Sequence, residues 1–478
     1  MSVRTVEKIG GTTMSRFHDL VDSLFLDSSG APVYGRVIVV SAYSGMTDML
    51  LEHKHSGDPG VFSLFSEGEN VDEWQSALSD VRWRMREINA DLYRSAVLLE
   101  TANRFVDERI ADARQCLDDV RRVCSFGPFA LDAYLHRVRE LLSSMGEAHS
   151  AFNTAALLRE KGVNACFVDL TGWRDVRTCS LDERIRSGLS GIDFRTQLPI
   201  VTGYAQCEEG LVARYARGYT EITMSRIAVL TEPEEAIIHK EYHLSSADPK
   251  IVGESNIVPI GRTNYDVADQ LANLGMEAIH PNAANMLRKR GIPLRVKHAF
   301  EPTHSGTLID GEYRSTHPKV EIIAGRSGLM AIELFDQDMI GQQMEFEIQL
   351  LDTLKRFKVR SIGKDLNANS ITHYVDCPLR VARRISERLG ELFPNAVIES
   401  RKVAFVCAVG TDLDMPGILA RCASALGNAQ VPILSVSQPL RGVDARFVVQ
   451  EDTYTEAVKA LHDSLILERR GSGLDAAA

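Results

Sequence analysis

The sequence lacks the features that mark several large classes of protein. Its eight cysteines are scattered and show no CxxC spacing, which argues against a zinc site or a disulfide framework and predicts a reducing compartment. It has no run of about 18 apolar residues, the length that a membrane-spanning helix needs. Residues 1–5 do not form an apolar signal region. We therefore expect a cytoplasmic protein.

The sequence also has fewer basic than acidic residues. The 54 Lys and Arg residues are outnumbered by 65 Asp and Glu residues, which gives a formal net charge of −11. This balance argues against a general nucleic-acid binder, and an anionic substrate would need a locally positive pocket. The composition, 44% hydrophobic and 25% charged, is typical of a globular protein. A chain of 478 residues predicts roughly two to four domains.

The opening segment Val6–Ser15 has the pattern of a strand that runs into a glycine turn. Lys8 lies in the strand, Gly10 and Gly11 end it, and hydroxyl side chains follow. Glycine lets backbone N–H groups approach oxygens closely, a helix N-terminus adds a positive dipole, and lysine adds a full charge. The segment therefore predicts a phosphate site, although such a turn by itself is more often structural. It is not a P-loop, because the lysine precedes the glycines.

Strands and helices alternate over roughly the first 300 residues, which predicts a three-layer α/β domain. The apolar runs Arg36–Ala42 and Leu198–Tyr204 suit parallel strands buried on both faces. Between them, helical periodicity predicts helices over 71–90, 95–124 and 131–160, partly as an insertion. A further helix is expected from near Thr220, whose hydroxyl would cap it.

The C-terminal third follows a polar stretch at 310–317 that is typical of a linker. Beyond it, a strand-helix-strand-strand-helix-strand pattern runs twice. The predicted strands are near Gly328–Phe335, Val359–Asn367, Asn369–Cys377, Val403–Val409, Ile433–Gln438 and Asp444–Val449, with helices over Gln343–Phe357, Leu379–Leu392, Gly417–Ala429 and Thr455–Leu465. Two such units favour a tail that senses a small molecule, and a pair of dimerisation modules without a ligand stays equally open.

Four polar segments are expected to meet at one edge of a parallel sheet, because ligands bind at the carboxyl ends of its strands. They are the turn around Lys8, the loop Ser41–Asp48, the segment Ala216–Thr223 and the turn Ser245–Lys250. In the third segment, the guanidinium of Arg217 is suited to hold a carboxylate in bidentate fashion. Each segment alone has an ordinary reading as a helix start, a surface ion pair or a turn, so only the set is informative.

This ordered set resembles the aspartate kinases, members of the amino acid kinase family, over essentially the whole chain. The matching segments are Lys8–Thr13, Val39–Ala42, Gly146–Glu147, Thr202–Tyr204, Arg217–Glu221, Ala247–Lys250 and Gly275–Pro281, and Val409–Ala420 resembles an ACT domain. The resemblance implies transfer of the γ-phosphoryl group of ATP, used with Mg²⁺, to the β-carboxylate of L-aspartate, which gives 4-phospho-L-aspartate.

The resemblance also implies an architecture. It is α/β, with a three-layer amino acid kinase (carbamate-kinase-like) domain over residues 1–310 that carries a helical insertion at about 67–145. Two α+β ACT-type (βαββαβ) domains follow over 318–396 and 402–470, and a flexible tail over 471–478. The exposed edges of the ACT strands predict a homo-oligomer. Neither nucleic acid nor a membrane is an expected partner.

Matched motif by motif, the resemblance implies roles for individual residues. Lys8 would stabilise the transferred phosphoryl group, Glu221 would orient Lys8 from a position where the family has Asp, and Arg217 would bind a carboxylate. The implied ATP-binding and phosphate-binding residues are Lys8, Gly10, Gly11, Thr12, His239, Lys240, Ser245, Asp248 and Lys250, and the aspartate-binding residues are Ser41, Thr47, Glu147, Arg217 and Thr220. No residue is assigned as a metal ligand. No general base is needed, because the attacking carboxylate is already ionised at neutral pH.

The chain departs from the family pattern on the nucleotide side. The segment Ile238–His243 replaces the usual Trp-Thr-Asp, and Glu277 stands where the family has Lys. Lys240 and Lys250 are candidates to replace the missing charge. The segments Val6–Thr12, Val40–Tyr43, Thr47–Asp48, Glu52–Lys54 and His239–His243 in turn resemble a subgroup of aspartokinases that serve ectoine synthesis.

Two other functions stay open on the sequence. One is another kinase of the same fold that acts on glutamate, N-acetylglutamate or a nucleotide, and the other is a catalytically silent amino-acid sensor. The paired ACT-like units favour aspartate, and the retained Lys8, Glu147 and Arg217 favour catalysis. Met344 and Glu345 lie in the turn where ACT domains usually have small residues, so we expect weak or altered feedback by lysine or threonine.

Overall fold

The computed structural model describes residues 3–26, 29–53, 56–68, 70–215, 218–276 and 278–468. Arg217, Glu277, Lys54 and the expected tail at 471–478 lie outside the described residues. The chain divides into two compact units, residues 1–243 with 279–311, and residues 244–278 with 312–478.

The strands of the described residues are β1 (Thr5–Ile9), β2 (Arg36–Val40), β3 (Ala165–Val168), β4 (Leu198–Thr202), β5 (Glu235–Lys240), β6 (Arg262–Asn264), β7 (Leu294–His298), β8 (Thr307–Asp310), β9 (Ile322–Phe335), β10 (Ser361–Leu366), β11 (Ser370–Val375), β12 (Val397–Val409), β13 (Ile433–Ser437) and β14 (Asp444–Gln450). The α-helices are α1 (Gly11–Met14), α2 (Phe17–Leu20), α3 (Met46–Leu50), α4 (Val61–Glu67), α5 (Val71–Leu92), α6 (Ala96–Cys124), α7 (Asp132–Glu160), α8 (Leu181–Leu189), α9 (Leu211–Tyr215), α10 (Tyr219–Thr231), α11 (Pro249–Val252), α12 (Tyr265–Asn273), α13 (Pro281–Lys289), α14 (Gln343–Arg356), α15 (Leu379–Leu392), α16 (Ile418–Asn428) and α17 (Tyr454–His462).

The first unit is built on a mainly parallel sheet with the strand order β3-β4-β2-β1-β5-β7-β8. Strand β1 is central and pairs in parallel with β2 and β5, whereas β8 runs antiparallel to β7. Strands β2 and β4 are buried along their whole lengths, as expected for apolar runs that are covered on both faces. Because β1, β2, β4 and β5 run in one direction, their carboxyl ends share one edge of the sheet.

Helices pack around this sheet in two apolar cores. One core joins Phe17, Phe25 and the C-terminal part of α7 to the sheet. The other packs α3, α4, α5 and α6 against α7 around Phe65 and Trp74. The helices expected over 71–90, 95–124 and 131–160 are therefore present as α5, α6 and α7.

Two local expectations were wrong in detail. The helix expected over Ser15–Phe25 is broken into α2 and a π-helical turn, Val21–Phe25. Helix α10 is not capped by Thr220, because its N-cap is Gly218 at φ 88°, a left-handed conformation that glycine adopts without strain. The Thr220 hydroxyl is thereby left for another partner.

The second unit contains a six-stranded antiparallel sheet with the order β10-β11-β9-β12-β14-β13. The long strands β9 and β12 pair from Phe335 with Val397 to Ile322 with Val409. One end of this pair belongs to a core with α14 and α15, and the other end belongs to a core with α16 and α17. The second βαββαβ unit therefore includes the first half of β9. In the sequence this segment lies before all the strands of the first βαββαβ unit.

The segment 244–278 also belongs to this second unit. Ala247 and Val252 are buried in the same apolar core as α16 and α17. The apolar side of α11 is thus part of the packing of the second βαββαβ unit. Among the described residues, no helix has the length and apolar character needed to cross a bilayer.

Candidate active site

Lys8 and Glu221 form an ion pair at the carboxyl edge of the parallel sheet. The Lys8 Nζ lies 3.2 Å from Glu221 Oε1, and both side chains are largely buried. Burial alone would raise the pKa of the Glu221 carboxyl, but the ammonium groups of Lys8 and Lys240 and the backbone N–H of His280 outweigh it and hold the pKa below its ordinary value. Glu221 is therefore ionised and holds the Lys8 ammonium at the end of β1.

The two glycines after β1 permit a close approach between segments. A Cβ atom on Gly11 would lie 2.6 Å from the carbonyl oxygen of Ala42, which no side chain can tolerate. A Cβ on Gly10 would lie 3.7 Å from Lys8 Nζ. The glycine turn thus packs directly on the loop that follows β2, next to the Lys8 ammonium.

Two hydroxyl side chains meet at the same edge. Ser41 follows β2, and its hydroxyl donates a hydrogen bond of 3.3 Å to the Thr220 hydroxyl in the first turn of α10. A Cβ on Gly203, which follows β4, would lie 2.6 Å from the Thr220 side chain. Glycine at 203 therefore makes the space that Thr220 occupies.

Glu147 is a buried carboxyl group with spare hydrogen-bonding capacity. Its side chain is 2% exposed, and Oε2 has no hydrogen-bond partner among the described residues. Burial raises the pKa of this carboxyl from 4.5 to about 7, although hydrogen bonds from Tyr219 and the Ala42 backbone oppose the shift. A buried, unpaired carboxylate is costly, so the site is suited to a cationic ligand.

Helix α7 is docked so that Glu147 faces the loop after β2. A Cβ on Gly146 would lie 2.6 Å from the Ala42 Cβ, and the Ser150 hydroxyl donates to the Ser41 carbonyl at 2.8 Å. These contacts flank Glu147 on either side. They place it in one group with Ser41 and, through the Ser41–Thr220 bond, with α10.

Tyr219 and His280 join this group and were not anticipated from the sequence. Tyr219 donates to Glu147, and the His280 backbone N–H donates to Glu221 Oε2 at 2.5 Å. A Cβ on Gly218 would lie 2.7 Å from the His280 ring. The tyrosine stands between Gly218 and Thr220 in the sequence, but its contact with Glu147 depends on packing between α10 and α7.

The structure does not bring His239 to this group. His239 is buried, and its Nε2 lies 2.7 Å from Glu7 Oε2. Glu7 also forms two hydrogen bonds with the Arg36 guanidinium, each 2.6 Å long, and all three residues line a cavity of about 290 Å³. Glu7 precedes Lys8 in a strand, where successive side chains point to opposite faces, so His239 lies on the face away from Lys8.

The remaining candidate residues occupy different surroundings. Thr12 is exposed in α1, and Thr47 is half-buried in α3. Ser245, Asp248 and Lys250 belong to the second unit. There the Asp248 carboxylate accepts the Lys250 N–H at 2.9 Å and caps α11. The Ser245 hydroxyl donates to the Ala247 carbonyl at 3.0 Å.

The first-unit group combines a positive end and a buried negative end. Lys8, Lys240 and the glycine turn are suited to the charged oxygens of a phosphate, while Glu147 is suited to an ammonium group. The described residues contain no group of three or more His, Cys, Asp or Glu that would hold a metal ion. A cation such as Mg²⁺, which often binds mainly through phosphate and water oxygens, fits this site only as part of a bound phosphate ligand.

Comparisons with known proteins agree with this chemistry. The model of the amino acid kinase family matches residues 3–298, and that of an ACT domain matches residues 399–463. The chain is 47% identical over 477 residues to Aspartate kinase Ask_Ect of Stutzerimonas stutzeri (strain A1501), with 100% of both chains covered. It is 23% identical to Aspartokinase of Candida albicans (strain SC5314 / ATCC MYA-2876), over 96% of this chain and 90% of that one.

Solved structures share the fold. Aspartokinase III of E. coli, in complex with aspartate and ADP, superposes with a TM-score of 0.70 at 18% identity and covers 97% of this chain and 99% of its own. Aspartate kinase of Clostridium acetobutylicum gives a TM-score of 0.71 at 19% identity, covering 96% of this chain and 100% of its own.

Proposed function

Because the chain belongs to the amino acid kinase family and is an aspartate kinase, we propose that the group around Lys8, Glu221, Ser41, Thr220 and Glu147 is its active site. The observation that carries this assignment is that a positively charged group and a buried carboxyl group belong to the same cluster of residues. A buried lysine held by Glu221 stands beside the glycine turn, and a buried carboxyl with a spare oxygen lies on the adjoining helix.

At the phosphate end, Lys8 neutralises the phosphoryl group as it passes from ATP to the acceptor. Phosphoryl transfer demands positioning and charge neutralisation more than covalent help. Glu221 keeps the Lys8 ammonium in place, and Gly10 and Gly11 let the phosphate chain approach the backbone. Lys240 adds a second positive charge at the same edge, as its effect on the pKa of Glu221 indicates.

At the amino-acid end, Glu147 receives the ammonium group of L-aspartate. Its unpartnered Oε2 and raised pKa fit a carboxylate that binds an ammonium group. Ser41 and Thr220, which are joined by a hydrogen bond, are assigned to the reacting end, close to the β-carboxylate that is phosphorylated. We assign the α-carboxylate to Arg217 and a further contact to Thr47, on the family resemblance alone.

We propose that the nucleotide is ATP with Mg²⁺, and we assign Thr12, Ser245, Asp248 and Lys250 to its binding on the family resemblance alone. The complex of the E. coli enzyme with aspartate and ADP supports a nucleotide of this kind. His239 is left out of the proposed site because its imidazole is bonded to buried Glu7. Lys240, the next residue of β5, is kept in the proposed site, because adjacent strand residues point to opposite faces.

An ATP-dependent hydroxamate assay tests the substrate. We expect hydroxylamine to trap an acyl phosphate with L-aspartate and not with L-glutamate or N-acetylglutamate. An Arg217→Ala variant should raise the KM for aspartate by roughly 100-fold or more, as loss of a charge-assisted bidentate contact does. Product from glutamate instead would favour another kinase of this fold, and no product from any acceptor would favour the silent sensor.

The same assay with added amino acids tests regulation. We propose that the enzyme serves ectoine synthesis, which its resemblance to that subgroup and its similarity to Ask_Ect support, and that lysine and threonine inhibit it weakly. Met344, the second residue of α14, is 73% exposed. Strong inhibition by submillimolar lysine would contradict weak feedback.

We also propose that the cytoplasmic enzyme is a homo-oligomer joined through its ACT domains. Met344, Ile348 and Leu351 are 73%, 52% and 43% exposed, and their spacing places them along one side of α14. A double variant, Met344→Glu with Ile348→Glu, should sediment as a smaller species than the wild type. Gln349→Glu, on the same helix, adds charge outside this stripe and should sediment like the wild type. Equal sedimentation of all three proteins would rule out this surface.

A further inference from the structure

A buried hydrogen bond connects helix α17 to the segment that we assign to the nucleotide. His462 Nε2 and the Ser246 hydroxyl lie 2.9 Å apart, and both side chains are 0% exposed. Ser246 sits between the proposed nucleotide residues Ser245 and Asp248, and His462 is the last residue of α17. The two are separated by 216 positions in the chain, and no local pattern links them.

Ser246 is also held by its backbone. Its N–H donates to the Val258 carbonyl at 2.9 Å, and its own carbonyl accepts from the N–H of Ile323, at the start of β9. The Val258 N–H in turn donates to the Ser246 hydroxyl at 3.0 Å. The hydrogen bonds of the Ser246 hydroxyl therefore link its own segment to the neighbouring segment at Val258 and to α17.

Helix α17 contacts the same segment at its other end. Burial raises the pKa of Tyr454 to about 12, with a further contribution from the negative charge of Asp248. A Cβ on Gly325 would lie 2.6 Å from the Tyr454 ring, so glycine at that position leaves room for the ring. Between these ends, Leu461 shares an apolar core with Ala247. The helix thus supports the segment 245–250 along its length.

We propose that His462 is a positioning residue for the nucleotide, which acts through Ser246 to hold Ser245, Asp248 and Lys250 in the conformation that binds ATP. The inference rests on the proposed nucleotide role of this segment. Loss of the bond would leave a fully buried hydroxyl or imidazole without its partner, which costs more than the bond itself contributes. The segment would relax to restore a partner, and nucleotide binding would weaken.

Kinetics of His462→Ala and Ser246→Ala test the proposal. We expect each variant to raise the KM for ATP roughly three- to tenfold, the range that a single hydrogen bond supports. The KM for aspartate and kcat at saturating ATP should change less than about twofold. The double variant should be no worse than Ser246→Ala, because that substitution already removes the bond to His462 together with the one from the Val258 N–H. His462→Gln, which places a nitrogen near the Nε2 position, should recover most of the affinity.

A matched control separates positioning from general loss of stability. His373 is also buried in the six-stranded sheet, and its Nδ1 lies 2.8 Å from the Ser361 hydroxyl, in the core with α14 and α15. His373→Ala should lower the unfolding temperature without changing the KM for ATP. An equal rise in KM for His373→Ala, additive effects in the double variant, or an unchanged KM in His462→Ala would each overturn the inference.

Titration with ADP keeps this test independent of the aspartate assignment. Binding of ADP, measured by calorimetry on the full chain without turnover, should weaken by the same factor as the KM for ATP rises. If wild-type protein binds ADP but phosphorylates another acceptor, the proposed substrate fails while the role of His462 is still decided. If ADP affinity is the same in wild type and His462→Ala, the positioning role fails while the active site stands.

Discussion

Replacing Lys8 by alanine is expected to lower kcat by about 10³-fold, because one preorganised cation aimed at developing negative charge contributes on that scale. The KM for aspartate should change little, since Glu147 lies at the opposite end of the group. Steady-state kinetics at saturating ATP measure the effect. A loss of less than about tenfold would remove Lys8 from the transferring phosphate.

The controls for Lys8 must account for its partner. Removal of Lys8 leaves Glu221 buried with one fewer cation, and part of any loss could come from a shifted α10. Glu221→Gln keeps an acceptor for the His280 N–H and leaves Lys8 charged, so we expect a smaller loss of kcat than for Lys8→Ala. Lys364 forms an ion pair with Glu347 in the second unit, and Lys364→Ala should leave kcat unchanged.

The strands that carry the site could be predicted from the sequence because they are buried on both faces and therefore form short, mostly apolar runs. Strands β2 and β4 are mostly apolar and buried along their whole lengths, and they are followed by Ser41 and Gly203 at the edge where the glycine turn also lies. The contact between Ser41 and Thr220 follows from that shared edge. Glu147 was placed by family resemblance alone, and its burial required the packing of α7.

The differences between expectation and structure at His239 and at Thr220 have different physical sources. His239 and Lys240 were both assigned to ATP, yet adjacent strand residues face opposite ways, so alternation already allows at most one of them. Thr220 was expected to cap α10 because hydroxyls commonly do. Gly218 in a left-handed conformation starts the helix earlier, and the His280 ring leaves no room for a Cβ at that position.

The contribution of the start of β9 to the second βαββαβ unit was not predictable from local pattern. Gly325 and Gly328 interrupt the apolar alternation of β9, so the sequence predicted a strand only from Gly328. In the structure, the residues before Gly328 pair with the second half of β12 and complete the second core. Gly325 is required there by the ring of Tyr454, a contact between residues far apart in the chain.

Glu147→Gln is expected to weaken aspartate binding strongly and to increase the folding stability of the protein without bound aspartate. The amide cannot attract an ammonium group, so we expect the KM for aspartate to rise roughly 100-fold or more, as loss of a buried charge-assisted contact does. The stability gain follows from the pKa, which burial raises from 4.5 to about 7. A shift of this size is worth about 3 kcal/mol of folding free energy at a pH above both values.

The sign and the pH range of the stability effect are specific. Since the folded state holds this proton more tightly than the unfolded state, the wild type loses stability as the pH rises from 4.5 to about 7. The amide in Glu147→Gln does not titrate, so the variant should unfold at a higher temperature than the wild type at about pH 8 and at nearly the same temperature at about pH 4.5. Thermal unfolding at the two pH values measures the difference.

Catalysis by the wild type should follow the same ionisation. Below about pH 7 the Glu147 carboxyl is protonated before aspartate binds, so kcat/KM for aspartate should fall up to about tenfold per pH unit. An unchanged KM for aspartate in Glu147→Gln, or a lower unfolding temperature at about pH 8, would show that this carboxylate does not bind the ammonium group of aspartate.

Glu140 offers the matched control for this carboxylate, because it lies two turns earlier on α7 and is also buried. Its oxygens accept from the Tyr204 hydroxyl and from the N–H groups of Val212 and Ala213. A buried carboxyl group whose hydrogen-bond partners are already in place lacks the unsatisfied oxygen that destabilises an unpaired one. Glu140→Gln should therefore give no gain in stability at about pH 8, and a gain equal to that of Glu147→Gln would show that the effect is not specific to the unpartnered oxygen.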